Sequence, residues 1–165
     1  MMIVEKAAGA IIFYISKSKD FDDSQKSLIS EVKEGEPLFL MLEYDTYWGF
    51  VRGQIEKEET IEETIRRETK EEANLSDIRI LKGFKETQQW FYKLKGELRR
   101  KFAVYLLAEI NEEEAQKVRI SFEHKSFKFV KIDEALSLMR IKNEKKMLEK
   151  AAKFIKERSK QKTLF

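Results

Sequence analysis

The stretch from Gly53 to Leu75 limits this chain more than any other. Ile61, Ile65, Thr69 and Ala73 recur every fourth residue, which gives a helix a single stripe to bury. Thr60-Ile-Glu-Glu63 supplies a capping box at the front of that stripe. Asn74 stands behind it, and Asn is the non-glycine residue that best tolerates the left-handed turn closing a helix. The spacing therefore predicts a helix over 61–73 that must lay its stripe on another layer.

The charges of the same segment carry chemistry. On a helix Glu68, Glu71 and Glu72 stand at i, i+3 and i+4, so their carboxylates converge within a turn and a half. In a cleft with an effective dielectric near 20, two such anions ~6 Å apart repel by roughly 3 kcal/mol. A divalent cation reverses that sign, and hard oxygen donors in this number suit Mg²⁺ or Mn²⁺. Glu72 also projects at nearly the same angle as Ile61 and Ile65, a seam on which a merely solvated helix would not place an acid. The alternative is a charged surface helix laced by pairs such as Glu63 with Arg67 and Lys70 with Asn74. The carboxylates alone divide evenly between the two readings. The full spacing separates them: Gly53, Glu59, Arg67 and the three helix acids in fixed positions arise by chance on the order of once in a million starts.

That pattern resembles the signature of the Nudix hydrolases, Gly-x5-Glu-x7-Arg-Glu-U-x-Glu-Glu-x-Gly-U, where U is usually aliphatic. Thr69 replaces an aliphatic residue and Asn74 replaces the closing glycine. Across nearly the whole chain the resemblance extends to the asymmetrical dinucleoside tetraphosphate hydrolases. It is carried by Ala8-Gly-Ala-Ile-Ile-Phe13, Leu38-Phe-Leu-Met-Leu42, Trp48, Gly83-Phe-Lys85, Val104-Tyr-Leu-Leu-Ala-Glu109 and Ser121-Phe-Glu-His-Lys-Ser-Phe-Lys-Phe129. Val51-Arg52-Gly53-Gln54 departs from it, standing where that group usually has Pro-Lys-Gly-His.

Composition and pattern supply the frame. A chain of 165 residues, 42% hydrophobic and with no Pro-, Gly- or Ser-rich linker, suits one domain over 1–165. Its longest apolar run, 7–15, is too short to cross a bilayer and lacks the basic flank of a signal peptide, so no membrane partner is expected. The absence of cysteine fits an intracellular, cytoplasmic protein. Strands are expected near 4–15, 37–43, 49–51, 78–83, 85–93, 101–110 and 127–132, with helices at 133–139 and 144–158 and a polar insertion at 16–36. The turn at Lys95-Gly96-Glu97 makes the middle of the chain an antiparallel hairpin. This order supports an α/β (α+β) fold with a mixed sheet and helices on both faces, and the resemblance implies an α/β/α sandwich. Residues 140–162 are strongly basic, but Met147, Leu148, Ala151 and Ile155 form a helical stripe. The expectation is a C-terminal helix packed on the core, with a wet basic face rather than a nucleic-acid surface.

The resemblance also implies a site. Glu68, Glu71, Glu72, Glu123 and the Gly53 carbonyl are the metal-binding candidates, for Mg²⁺ or Mn²⁺. Glu68 and Glu123 are candidates for the catalytic base, and Arg67 is expected to fix carboxylates by pairing with Glu59 or the metal-binding acids. Arg52 and His124 are placed beside phosphate, and Tyr92 with Phe127 as a clamp on adenine; equally open for each aromatic is simple core filling. The implied reaction is Mg²⁺-dependent cleavage of diadenosine tetraphosphate to ATP and AMP. Pyrophosphate removal from RNA 5′ ends, hydrolysis of another nucleoside diphosphate-X compound, and non-catalytic nucleotide binding are the alternatives. Nothing in the sequence speaks to oligomeric state.

Overall fold

The computed structural model describes residues 2–17 and 35–163. Most of the expected insertion at 16–36 lies outside these residues. The sheet is organised by β1 (Ile3–Ile15), which runs parallel to β6 (Glu97–Glu109) from Ile3↔Arg99 to Phe13↔Glu109. The other edge of β1 is divided. Ala7–Ala10 pair antiparallel with β4 (Val51–Gln54), whereas Phe13–Ile15 pair with β2 (Pro37–Glu43). The short β3 (Trp48–Gly49) pairs with β2, β7 (Ser126–Val130) lies on the other edge of β2, and β5 (Arg79–Leu94) closes the far side on β6.

Local chemistry explains most of these elements. The β5–β6 hairpin closes at Lys95 and Gly96, with φ of 51° and 79°, the left-handed pair that matches the twist of flanking strands. The two strands expected at 78–83 and 85–93 are one strand with a register shift between Ile80 and Lys85, absorbed where Gly83 takes φ 99°. The single strand expected at 49–51 is split in two. Phe50 interrupts it, buried, with its carbonyl accepting from the Tyr44 hydroxyl.

Helix α1 (Ile61–Ala73) begins where Thr60 Oγ1 accepts from the Glu63 N–H at 3.1 Å and ends at Asn74, φ 60°. It buries Ile65, Thr69 and Ala73 against one face of the sheet, beside Ala8, Ala10, Val51 and Leu75. The opposite face carries α3 (Ile132–Leu138) and α4 (Lys142–Thr163). There Met147, Leu148, Ala151 and Ile155 pack with Phe13, Phe39, Phe50 and Tyr105. The short α2 (Glu112–Ala115), capped by Asn111, has too few residues to show a period, and the sequence did not reveal it. The result is a mixed sheet between helical layers. No helix among the described residues is long and apolar enough to cross a membrane.

Candidate active site

The site is assembled at the C-terminal half of α1. Gly53, on β4, faces this helix so closely that a Cβ there would lie 1.9 Å from Cδ and 2.0 Å from Oε1 of Glu68. The glycine is therefore required by the carboxylate lying on the strand, with no special backbone angle involved. Arg67 fastens the other side. Its Nε and Nη2 donate to Glu59 at 2.8 and 2.9 Å, Nη1 donates to Glu68 at 2.7 Å and Glu71 at 3.3 Å, and Nη2 also reaches the Gln54 carbonyl at 2.9 Å. Hydrogen bonds from Arg67 and from the Thr64 hydroxyl hold the Glu59 carboxyl down at about 2. A guanidinium gripping one acid in a two-point fork and reaching two more fixes the rotamers of all three.

Glu72 is buried, 2% exposed, as its place on the apolar seam predicts. Burial, reinforced by the charges of Glu68 and Glu123, pushes its carboxyl up to about 8 against the stabilising Arg52 N–H. Burial also raises Glu68, opposed by Arg67. Both oxygens of Glu72 are addressed: Oε2 accepts the Arg52 backbone N–H at 3.0 Å, and Oε1 lies 2.9 Å from His124 Nε2.

A loop brings the last members in. The Glu72 and Ala73 carbonyls, left without helical partners at the end of α1, accept from the N–H groups of Ser121 and Arg119 at 3.1 Å each. His124 N then donates to the Ser121 carbonyl at 3.2 Å, and Lys125 N to the Glu43 carbonyl at 2.8 Å, which returns the chain to β7. This tie places ligand atoms of Glu72, Glu123 and His124 within 4.8 Å of one another. Glu123 is exposed, and among the described residues it makes no hydrogen bond or ion pair. The carboxylates, two of them desolvated, supply hard oxygen donors that fit a divalent cation such as Mg²⁺, and the His124 ring nitrogen nearest them is already taken up by Glu72.

Three expected contacts are corrected. The Arg52 side chain points to the face opposite α1, because Gly53 next to it takes the helix side and side chains alternate along a strand. It meets Tyr105 Oη at 3.3 Å, Tyr47 Oη at 3.2 Å and the Trp90 ring at 5.0 Å, so only its N–H serves the acids. His124 has a fully buried side chain packed edge-on to Tyr44, with ring centroids 4.5 Å apart. It orients Glu72, and its enclosure keeps it from phosphate. Tyr92 and Phe127 do not form one clamp: they belong to β5 and β7, with β6, β1 and β2 between them. Tyr92 instead donates its hydroxyl to Glu5 at 2.5 Å, and Phe127 packs edge-on to Phe129.

On the Arg52 side the sequence reading missed a cleft of about 360 Å³, lined by Tyr47, Trp90 and Ile141, by Arg52 and Glu144, and by the amide residues Gln88, Gln89 and Asn143. Glu144 is 6% exposed. Its signal was present, since it precedes Leu148 by four residues on the same stripe and so falls on an apolar seam as Glu72 does.

Comparison with known proteins adds to this geometry. The NUDIX domain model matches residues 28–155. The chain is 28% identical over 155 residues to a Sus scrofa protein named asymmetrical bis(5′-nucleosyl)-tetraphosphatase, covering 91% of this chain and 95% of that one. Among solved structures it resembles the Ap4A hydrolase of C. elegans in a binary complex, with a TM-score of 0.70, 26% identity, and 92% and 97% of the two chains covered. The E. coli dihydroneopterin triphosphate pyrophosphohydrolase shares the fold at a TM-score of 0.61 and 14% identity, over 90% and 96% of the chains.

Proposed function

The chain belongs to the Nudix family and is a pyrophosphohydrolase of nucleoside polyphosphates, and from that premise we propose that it cleaves dinucleoside tetraphosphates asymmetrically, with Mg²⁺, in the cytoplasm. On diadenosine tetraphosphate the products are ATP and AMP. The observation that carries the reading is the convergence of Glu72, Glu123 and His124 at the end of a helix whose Glu68 is seated on Gly53. The likeness to proteins of that activity extends over both chains nearly end to end.

Glu68, Glu71, Glu72 and Glu123 would hold the Mg²⁺, with the Gly53 carbonyl beside them. Bound there, the cation neutralises phosphate charge and makes water a stronger acid. The protein's own part is orientation and proton transfer. His124 Nε2 and the Arg52 N–H hold the two oxygens of Glu72, and Arg67 holds Glu68 and Glu71. Glu123 accepts the proton of the attacking water on the carboxylate oxygen turned away from the cation, since among the described residues no protein group hydrogen-bonds to it, whereas Glu68 is bound by Arg67. The water oxygen bonds to phosphorus as the bond from phosphorus to the leaving nucleotide's oxygen breaks. The cleft beyond Arg52 receives a nucleoside.

The test is turnover of a panel of dinucleoside polyphosphates, nucleoside triphosphates, nucleoside diphosphate sugars and triphosphorylated RNA, with products resolved by chromatography. ATP and AMP from diadenosine tetraphosphate in equal amounts is the expected result, with Glu123→Gln slowed by ~10²–10⁴-fold. Two ADP as product, or a Glu123→Gln rate near wild type, refutes it.

A further inference from the structure

The cleft on the α4 side contains a charged pair that the hydrolytic reading leaves unused. Glu144, in the first turn of α4, has a side chain only 8% exposed, and its Oε1 lies 3.9 Å from Nη1 of Arg52. That distance is an ion pair without a hydrogen bond. Among the described residues nothing donates a hydrogen bond to this carboxylate, although it lines an open cavity. Arg52 is better served, by two tyrosine hydroxyls and the face of Trp90. A buried carboxylate that keeps its acceptors facing a cleft is expensive unless a ligand supplies donors.

The walls narrow the ligand's shape. Tyr47, Trp90 and Ile141 give the cleft its apolar and aromatic surface beside the amide residues Gln88, Gln89 and Asn143, and the volume of about 360 Å³ lies within the ~300–1,000 Å³ of small-molecule sites. A flat heterocycle suits such walls, and a carboxylate at the floor selects among heterocycles by their edges. Guanine presents two adjacent N–H donors, N1 and the exocyclic amine, which an ionised carboxylate accepts together. Adenine presents one donor beside a ring nitrogen whose lone pair opposes the anion.

We propose that Glu144, paired with Arg52 on the floor of the Trp90 cleft, is a specificity-determining residue that reads the base edge, so that guanine-ended substrates are preferred to adenine-ended ones. This deepens the reading above and rests on it for the place of the phosphates. Arg52 gives base recognition a mechanical connection to the acids: its side chain lies under the base while its N–H holds Glu72.

Two measurements on the full chain separate this inference from the hydrolytic one. The first is binding of GMP and AMP without metal, followed by fluorescence. The chain has two tryptophans, so Trp48→Phe leaves Trp90 as the only tryptophan, read by exciting at the long-wavelength edge where tyrosine does not absorb. GMP binding on the order of 10–100-fold tighter than AMP binding is expected, the discrimination of one good bidentate base contact. Glu144→Gln, and Glu144→Met in case the amide mispairs, should remove the discrimination in protein that still melts cooperatively. The second is the ratio of kcat/KM for diguanosine to diadenosine tetraphosphate, which should fall by the same factor in those variants. Hydrolysis with equal use of both bases overturns this inference and leaves the hydrolytic reading standing. Guanine-selective binding without hydrolysis does the reverse. Discrimination that survives both Glu144 substitutions assigns base reading elsewhere and overturns it as well.

Discussion

Replacing Gly53 by alanine tests the close seating of Glu68 on β4. The added Cβ would lie 1.9, 2.0 and 2.5 Å from Cδ, Oε1 and Cγ of Glu68. Carbon atoms in contact sit ~3.5–4.0 Å apart, so the carboxylate must retreat by roughly 1.5 Å or more. The obstacle is a side chain, which can rotate away, and the strand backbone accepts alanine. Overpacking of this kind costs about 1–3 kcal/mol, a fall in Tm of roughly 3–10 °C for a chain of this size. Catalysis should suffer more, because displacing Glu68 breaks its 2.7 Å bond to Arg67 and misplaces a carboxylate of the acid cluster. A misplacement of ~1 Å can cost 10²-fold in rate. The assay is kcat on diadenosine tetraphosphate with saturating Mg²⁺, beside a thermal melt of the same preparation. The sharper version is a cycle with Glu68→Ala, where removing the obstructing side chain should make the added methyl almost free in stability. A kcat for Gly53→Ala within about threefold of wild type, or full additivity of the two melts, would show that Glu68 is not held where the structure has it.

Arg67→Ala should lower kcat by about 10–100-fold, the usual loss when the partner orienting metal-binding acids is removed. It should also release Glu59 from about 2 toward the ordinary carboxylate range; a carboxyl titration by NMR that leaves Glu59 unmoved contradicts the fork. The third prediction concerns pH. Glu72 is raised from 4.5 to about 8 in the fold, so the neutral form is the stable one there, while the unfolded chain ionises near 4.5. The metal-free protein should lose stability as pH climbs from about 4.5 to about 8 and level off above, by on the order of 5 kcal/mol for this group alone. On the proposed metal site Mg²⁺ must displace that proton, so its affinity should rise through the same window and level off above about 8. Thermal melts at several pH values, with and without Mg²⁺, read both effects; a metal-free Tm that rises across the window refutes the burial of a neutral Glu72.

How much of this was legible follows from the range of the interactions. Helix α1 has the boundaries expected of it, because capping, apolar repeat and an Asn closure all act within one turn of the residues that encode them. The burial of Glu72 was legible for the same reason. The directions of Arg52 and His124 were not, since they depend on which face of β4 meets α1 and on how the 119–124 loop closes onto the helix carbonyls. The separation of Tyr92 from Phe127 was hidden too. Each sits in a believable strand, but strand order is a property of pairing across the chain and leaves no mark in either segment.

The sequence alone determined the acid helix, its register and the convergence of its carboxylates, because i, i+3 and i+4 are neighbours on any helix whatever surrounds it. Tertiary structure decided that His124 would hold Glu72, that Glu144 would face a cleft with Arg52, and how Glu123, grouped with the helix acids only by the resemblance, comes to meet Glu72. Those contacts join residues some 50 to 90 positions apart, and no local preference can encode a distance that only the packed sheet imposes.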